Sequence, residues 1–187
     1  KVGGRLGVGL DNIDLAACRA RGIEVIPATG ANAQTVAEYV VCTAMMLLRG
    51  VYGASAEVAA GRWPRAALAG GRELAGKVFG LVGFGGIGQA TARLARACGV
   101  RLAAHDPALA PGHPIARELG VEWLDLEPLL AAADVVSLHL PLAHATRGLL
   151  DGRRLGLMQR GAVLVNTARG GVVDEAALAE LLRTGHL

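Results

Sequence analysis

The sequence predicts an α/β fold: a doubly wound parallel sheet, accompanied by the remnant of a second α/β domain. Three observations support this prediction: short apolar runs recur along the chain, helical stretches separate them, and apolar residues make up 52% of the sequence. Strands separated by helices in this way imply right-handed βαβ crossovers. The predicted strands of the sheet are Val78–Val82, Arg101–His105, Val121–Trp123, Val135–Leu140 and Ala162–Val165.

The predicted helices fill the intervals between these strands and precede the first of them. A long apolar helix is expected over about residues 33–49, and a second helical segment continues through Ala60. The remaining predictions are helices at Gly86–Ala97, Ile115–Leu119, Leu126–Ala132 and Asp174–Leu182, and helical turns between Thr146 and Met158.

The beginning of the chain is predicted to form a small unit of two strands around one helix. The strands are predicted at Gly3–Val8 and Ile23–Ile26, and Asp11 or Asn12 can cap the helix between them. Two strands and one helix cannot bury a core alone. This segment is therefore interpreted as the tail of a domain whose beginning is missing.

These patterns divide the chain into residues 1–31, which belong to the first domain, and residues 32–187, which form the second. The chain begins with Lys1 rather than Met and ends at Leu187, just past a helix. We therefore expect both ends to be cuts, and the second domain to be truncated at its C-terminal end.

Composition and charge disfavour several functional classes. The formal net charge of +3 comes from scattered arginines, and aromatic residues are only 3%, so a nucleic-acid surface is not expected. Cys18, Cys42 and Cys98 share no CxxC spacing and lie in apolar, helical settings, which predicts buried free thiols and a reducing, cytoplasmic location. No signal peptide is visible, and the longest apolar stretch, Val36–Leu48, is far short of the roughly 20 residues of a membrane span.

A G-x-G-x-x-G string follows the first strand of the sheet and begins an alanine-rich helix. In this context, Gly83 permits a tight turn, Gly85 lets the backbone approach a pyrophosphate, and Gly88 lets the helix pack close to the strand. The N–H groups at the helix start suit phosphates. The alternative is a tight turn that binds nothing.

An aspartate ends the next strand. Asp106 lies 18 residues past Gly88, where its carboxylate can accept hydrogen bonds from ribose hydroxyls and favour NAD over NADP. No arginine follows to hold a 2′-phosphate. The alternative is a helix or turn cap, and the neighbouring His105 is expected to be structural.

The fourth strand leaves the sheet at the same edge through Ser137–Leu142. Pro141 breaks the ladder of hydrogen bonds and lets the backbone pass over a bound cofactor. His139 has two open interpretations: a structural residue at a strand end, or a cofactor contact.

An arginine follows the last strand. Arg169 precedes Gly170 and Gly171, which let the chain turn sharply and direct the guanidinium into the cleft. Its planar fork matches a carboxylate in two parallel hydrogen bonds, so the α-carboxylate of a substrate beside the nicotinamide is its expected partner. The alternative is a surface arginine.

Together these residues resemble the D-isomer-specific 2-hydroxyacid dehydrogenases, close to the phosphoglycerate dehydrogenase branch, over nearly the whole chain. The blocks that carry the resemblance are Gly7–Asp14, Val36–Glu38, Gly83–Gly88, His139–Leu142 and Asn166–Glu175. The resemblance implies a Rossmann-type NAD-binding domain beside part of a substrate domain, with NAD contacts at Val8, Gly86, Ile87, Asp106, Leu140, Thr167 and Ala168.

The resemblance also implies a reaction: Arg169 holds the carboxylate and polarises the keto oxygen of a small 2-hydroxy or 2-keto acid, while NAD exchanges a hydride with it. In this family a histidine and the glutamate that orients it come from well beyond the arginine block. His186 is only 17 residues past Arg169, too close to match. We therefore expect this chain to bind NAD without turnover. The family pairs through an arm corresponding to residues 33–65, which predicts a homodimer with Trp63 at the interface.

Two other hypotheses remain at this point. One is a non-enzymatic NAD-sensing module of the corepressor type, since this family's scaffold also serves in that role. The other is an unrelated Rossmann enzyme, which must explain why an arginine and two glycines follow the last strand. No metal site is predicted.

Overall fold

A computed structural model describes residues 1–109 and 112–187, which contain two parallel sheets. The smaller sheet pairs two strands from the start of the chain, and the larger one has five strands. The strands are β1 (Val2–Arg5) and β2 (Glu24–Pro27) in the small sheet, and β3 (Val78–Val82), β4 (Arg101–His105), β5 (Glu122–Trp123), β6 (Val135–Leu138) and β7 (Val163–Asn166) in the large one.

Helices connect these strands and cover the large sheet. They are α1 (Leu15–Ala20), α2 (Ala33–Arg49), α3 (Ser55–Ala59), α4 (Gly86–Ala97), α5 (Pro114–Leu119), α6 (Leu126–Ala132), α7 (Gly152–Leu155) and α8 (Glu175–Arg183), with a 3₁₀ turn at Val51–Ala54.

The large sheet has the strand order β5-β4-β3-β6-β7, and every pair is parallel. The chain builds outward from β3 to β5, then crosses back to add β6 and β7 on the other side of β3. The order therefore reverses between β3 and β6, which is the switch point where doubly wound sheets bind ligands. The predicted fold class is confirmed.

The sheet separates two apolar clusters. Phe79 and Leu81 of β3 pack on one side with residues of α2, α4 and α5, whereas Val82 packs on the other with residues of α6 and α7. Burial on both faces explains why these strands are continuous apolar runs rather than alternating ones. The layers hold the carboxyl ends of four neighbouring strands in fixed register.

Helix α2 spans 17 residues and ends at Gly50, which adopts a left-handed conformation with φ of 67°. Its inner face is buried and includes Ala37, Val40 and Ala44, while Tyr39 on the other face is 62% exposed. Within the described residues no single helix is long and apolar enough to cross a membrane, and α2 passes such a test only together with Val51–Ala59, across a bend of 72°.

Several local predictions for the start of the chain need correction. Strand β1 ends at Arg5 rather than Val8, because Gly7 turns the chain with φ of 103°. Helix α1 is capped by Asp14, whose carboxylate accepts a hydrogen bond from the Ala17 amide at 2.8 Å, and not by Asp11 or Asn12.

Two further observations concern the middle of the chain and the cysteines. The predicted helical turns between Thr146 and Met158 include α7 and a turn closed by the hydrogen bond from the Leu149 amide to the Thr146 carbonyl, and between them Leu150 forms a parallel bridge with Val173. The three cysteines are free, as expected, but Cys42 is exposed on the outer face of α2, and the other two are only half-buried. An amphipathic helix buries one face only, and apolar neighbours in sequence do not fix which face.

Candidate functional site

Four predicted motifs lie side by side at the carboxyl edge of the large sheet. Asp106 follows β4, Gly83 follows β3, His139 follows β6 and Thr167 follows β7, in the spatial order of the strands. Main-chain hydrogen bonds extend the ladder past the strand ends, from the Gly83 amide to the His105 carbonyl and from the His139 amide to the Val82 carbonyl, both at 2.8 Å. The fold therefore brings the predicted site residues of the sheet together.

The glycine turn is held by close backbone contacts. Gly83 has φ of 95°, and a Cβ atom there would lie 2.5 Å from the His139 carbonyl oxygen. A Cβ atom at Gly88 would overlap the carbonyl oxygen of Gly83. Both glycines are thus required by the fold itself, the second because α4 packs directly against the turn, as predicted.

The other glycines of the motif border open space. Ideal Cβ atoms at Gly85 and Gly86 meet no heavy atom within 4 Å, and no side chain of the described residues caps the start of α4. Uncapped amides with positive partial charge, next to backbone that carries no side chain, form a cradle suited to phosphate. Ile87, the second residue of α4, is half-buried.

Asp106 has a structural role in addition to its position at the edge. One carboxylate oxygen accepts a hydrogen bond from the Phe84 amide at 2.8 Å, and the other accepts one from the Ala108 amide at 2.8 Å. Asp106 therefore caps its own turn and braces the glycine turn. Each carboxylate oxygen retains acceptor capacity for a ribose hydroxyl, so the two interpretations of this residue are compatible.

His139 is enclosed beneath the edge. Its Nε2 lies 2.9 Å from the Ser137 hydroxyl, and its Nδ1 is buried without a partner among the described residues. Burial lowers the pKa of His139 to about 4, because it disfavours the charged imidazolium. The imidazole is thus neutral near pH 7. Leu140 beside it is half-buried and packs on the core, and Pro141 is exposed.

The chain after β7 forms a turn that sequence reasoning did not resolve. The Asn166 amide group donates to the Arg169 carbonyl at 2.9 Å, and its oxygen accepts from the Ala168 amide at 3.0 Å. The Thr167 hydroxyl inside this turn is buried and has no hydrogen-bond partner among the described residues. A buried polar group without a partner is unusual in a native fold, and at a sheet edge it suits a ligand.

Arg169 does not lie free on the surface. Its Nε and Nη2 atoms lie 3.0 and 2.9 Å from one carboxylate oxygen of Asp11, in the loop after β1. That loop also contains Val8, which is 39% exposed, and Gly9, where a Cβ atom would overlap Nη2 of Arg169. The N-terminal segment thus contributes to the site two residues, Gly9 and Asp11, that sequence reasoning did not select. The G-x-G spacing of Gly7 and Gly9 was the available signal.

Two other observations delimit the site. A groove of about 440 Å³ runs along α4, with Gln34 of α2 also in its lining, and it includes Gly86 of the glycine turn. Among residues 1–109 and 112–187, no three His, Cys, Asp or Glu side chains converge in a way that could hold a metal ion. The polar groups described at this edge are the backbone amides at the start of α4, the carboxylates of Asp106 and Asp11, the Thr167 hydroxyl and the Arg169 guanidinium.

Comparison with known proteins gives the family. Residues 41–187 match the family model described as D-isomer specific 2-hydroxyacid dehydrogenase, NAD binding domain. The chain belongs to this family. Its NAD-binding, Rossmann-like architecture follows from that membership and from the strand order described above.

Individual relatives of this dehydrogenase-family chain agree with the assignment. It is 52% identical to the (S)-sulfolactate dehydrogenase of Chromohalobacter salexigens over 98% of this chain and 59% of that protein. It is 41% identical to the D-3-phosphoglycerate dehydrogenase of Mycobacterium leprae over 100% of this chain and 35% of that protein. The chain thus spans only part of the length of the relatives it matches.

A solved structure extends the likeness to three dimensions. The NAD-dependent formate dehydrogenase from Staphylococcus aureus, in complex with NAD, superposes with a TM-score of 0.87 and 34% identity, over 100% of this chain and 55% of that one. The likeness therefore includes the small sheet formed by β1 and β2 as well as the large one.

Proposed function

We propose that this chain is the cofactor-binding part of an oxidoreductase that transfers a hydride between NAD(H) and a small D-2-hydroxy or 2-keto acid. One observation supports the proposal: an uncapped helix start, the Asp106 carboxylate and the Arg169 guanidinium lie along one edge of a single sheet. The relatives include enzymes named for sulfolactate, phosphoglycerate and hydroxypyruvate, which supports a small 2-hydroxy or 2-keto acid as the substrate class.

The chain's own residues fit the dinucleotide. Gly85 and Gly86 leave room for the pyrophosphate at the start of α4, with Ile87 beneath, and Asp106 accepts the ribose hydroxyls. The buried Thr167 hydroxyl, which has no partner among the described residues, would be available to the rest of the dinucleotide on the side of β7. Further contacts are proposed at Val8, Gly83, Gly88, His139, Leu140, Pro141, Ala168 and Arg169.

Arg169 is the proposed catalytic residue. Its guanidinium binds the substrate carboxylate and polarises the neighbouring keto oxygen, which stabilises the negative charge that develops there during reduction. Bound NAD supplies or accepts the hydride at its nicotinamide ring. The glycine turn, Asp106 and Thr167 would hold the cofactor at the same sheet edge as Arg169.

In this proposal, the chain lacks a group that transfers a proton at the substrate oxygen. A general acid works best with a pKa near the operating pH, whereas the pKa of His139 is lowered to about 4. His105 and His186 are engaged with the carbonyl oxygens of Leu124 and Met158, both at 3.0 Å. The family resemblance implies a proton-transferring histidine well beyond the arginine block, and on that ground we propose that the chain binds NAD without turnover by itself.

Three further proposals concern organisation. Residues 1–31 form part of a substrate domain and residues 32–187 the NAD-binding domain, which accords with the separate sheets. The assembly is a homodimer through residues 33–65, supported by large exposed apolar side chains there, among them Tyr52 at 69% and Trp63 at 78%. The location is cytoplasmic, which accords with three free cysteines.

The first test is a calorimetric titration of the chain with NADH and with NADPH. We expect NADH to bind at least ten-fold more tightly, because the Asp106 carboxylate repels a 2′-phosphate. Asp106→Asn removes the charge but keeps one acceptor oxygen for the turn, and about ten-fold of NADH affinity should be lost.

The matched control is Asp125→Asn, which removes the same charge from an exposed residue just after β5 and should leave NADH binding unchanged. Equal binding of the two cofactors, or equal effects of the two variants, would contradict the ribose role of Asp106. A folded chain that binds neither cofactor would overturn the proposed function.

A further inference from the structure

The contact between Arg169 and Asp11 joins residues 158 positions apart in sequence. One oxygen of the Asp11 carboxylate receives two N–H groups, from Nε and Nη2, at 3.0 and 2.9 Å. On its other side, Nη1 of Arg169 donates to the Ala168 carbonyl at 2.8 Å. The guanidinium is thus held from both sides, by the N-terminal loop and by its own turn.

This arrangement leaves part of the guanidinium available. A guanidinium has five N–H groups, and these contacts with the described residues use three of them. One N–H remains on each terminal nitrogen, which is the number that a carboxylate needs for two parallel hydrogen bonds. Asp11 therefore binds Arg169 without using up its capacity for a substrate carboxylate.

The loop that carries Asp11 is itself shaped to the arginine. Gly9 leaves space that the Nη2 atom of Arg169 fills, so any side chain at that position would displace the guanidinium. The Arg5 side chain donates from Nε to the Gly9 carbonyl at 3.2 Å and ties the loop to the end of β1. Two independent features of one loop thus match the position of Arg169.

We propose that Asp11 is a positioning residue for Arg169: together with Gly9, it fixes the guanidinium so that its two free N–H groups receive the substrate carboxylate. The proposal deepens the proposed function and rests on Arg169 binding the substrate. The hydrogen bond from Arg169 also lowers the pKa of Asp11, because the guanidinium favours the charged carboxylate. The loop after β1 thereby determines how Arg169, which follows β7, binds the substrate carboxylate.

The test uses the whole chain, with oxalate as a carboxylate probe, and reads the Arg169 Nε–Hε resonance by NMR. The resonance is assigned by its loss in Arg169→Lys. In Asp11→Asn we expect this resonance to shift and its proton to exchange faster with water, because the charged acceptor is gone. The dissociation constant for oxalate, measured with saturating NADH, should rise about ten-fold, while NADH affinity stays within about two-fold.

The matched control is Asp14→Asn, which makes the same charge change three residues away on the cap of α1 and should change neither readout. Gly9→Ala is the second variant, and it should weaken oxalate binding as Asp11→Asn does. Unchanged or tighter oxalate binding in Asp11→Asn would overturn the proposal; tighter binding would mean that Asp11 competes with the substrate. Failure of the wild-type chain to bind NADH would overturn the proposed function, and the effect of Asp11→Asn on oxalate binding without cofactor would then decide the role of Asp11 separately.

Discussion

The glycine turn after β3 and the arginine turn after β7 lie at the same sheet edge but are held in different ways. Backbone atoms that are near in sequence or in adjacent strands fix the glycine turn: Gly88 packs on Gly83, and Gly83 on the His139 carbonyl. A side chain from the far end of the chain holds Arg169, through Asp11. The backbone contacts therefore make the glycine turn rigid, whereas the position of Arg169 depends on the loop after β1, which belongs to the other sheet.

This difference predicts how each region responds to change. A new atom in the glycine turn meets main chain, which cannot move without disturbing the sheet. A new atom beside Arg169 meets the end of a long side chain, which can swing away. We therefore expect substitutions in the first region to act on stability, and substitutions in the second to act on ligand binding.

The largest effect is expected for Gly83→Ala. The new methyl group would lie 2.5 Å from the His139 carbonyl oxygen, at a φ of 95° that alanine rarely adopts. Strain and overpacking together should cost about 3 kcal/mol or more of the free energy of unfolding, measured by urea denaturation. The control is Gly85→Ala in the same turn, which should change stability by less than about 1 kcal/mol yet weaken NADH binding. Equal stability losses in the two variants would contradict the backbone origin of this rigidity.

The next effect is a pH dependence from His139, beside the glycine turn. Its pKa is about 4 when folded and near its usual value of 6.5 when unfolded, so the unfolded state binds more protons between these values. Stability is therefore full above pH 6.5 and falls as the pH drops toward 4, by about 2 kcal/mol at pH 5. Urea denaturation at pH 7.5 and pH 5 measures this loss. His139→Gln should remove most of the difference between the two pH values; if it does not, another group is responsible.

The smallest effect on stability is expected for Gly9→Ala, beside Arg169. Its methyl group meets the guanidinium of Arg169 and the carboxylate of Asp11, which are ends of side chains near the surface, so the free energy of unfolding should change by less than about 1 kcal/mol. Urea denaturation beside the Gly83→Ala variant gives the comparison directly. A loss as large as that of Gly83→Ala would show that the arginine turn is as rigid as the glycine turn.

The sequence predicted the large sheet well because the residue patterns that indicate its strands and helices are local. The strands Val78–Val82 and Arg101–His105 and the helix Gly86–Ala97 have the predicted bounds. Each is an apolar run or alanine-rich stretch bounded by glycine or a polar residue, so the preferences of neighbouring residues agree with the fold. The chain order of these elements then determined the sheet edge at which the motifs meet.

The start of the chain was predicted less well. Asp11 was interpreted as a helix cap, since aspartate before a helical stretch favours that role, but Asp14 caps α1 and Asp11 contacts Arg169. Two aspartates three residues apart offer the same local signal. Only a partner that is distant in sequence distinguishes them, and the sequence pattern does not contain it.

The sequence by itself determined the fold class, the family resemblance, and the glycines, Asp106 and Arg169 as site candidates. Tertiary structure decided which groups these residues meet: Phe84 for Asp106, Ser137 for His139, and Asp11 for Arg169. The physical reason is the range of the interactions. Backbone conformation and strand burial are set by neighbours along the chain, whereas hydrogen bonds between side chains depend on which loops the completed sheets bring within about 3 Å of each other.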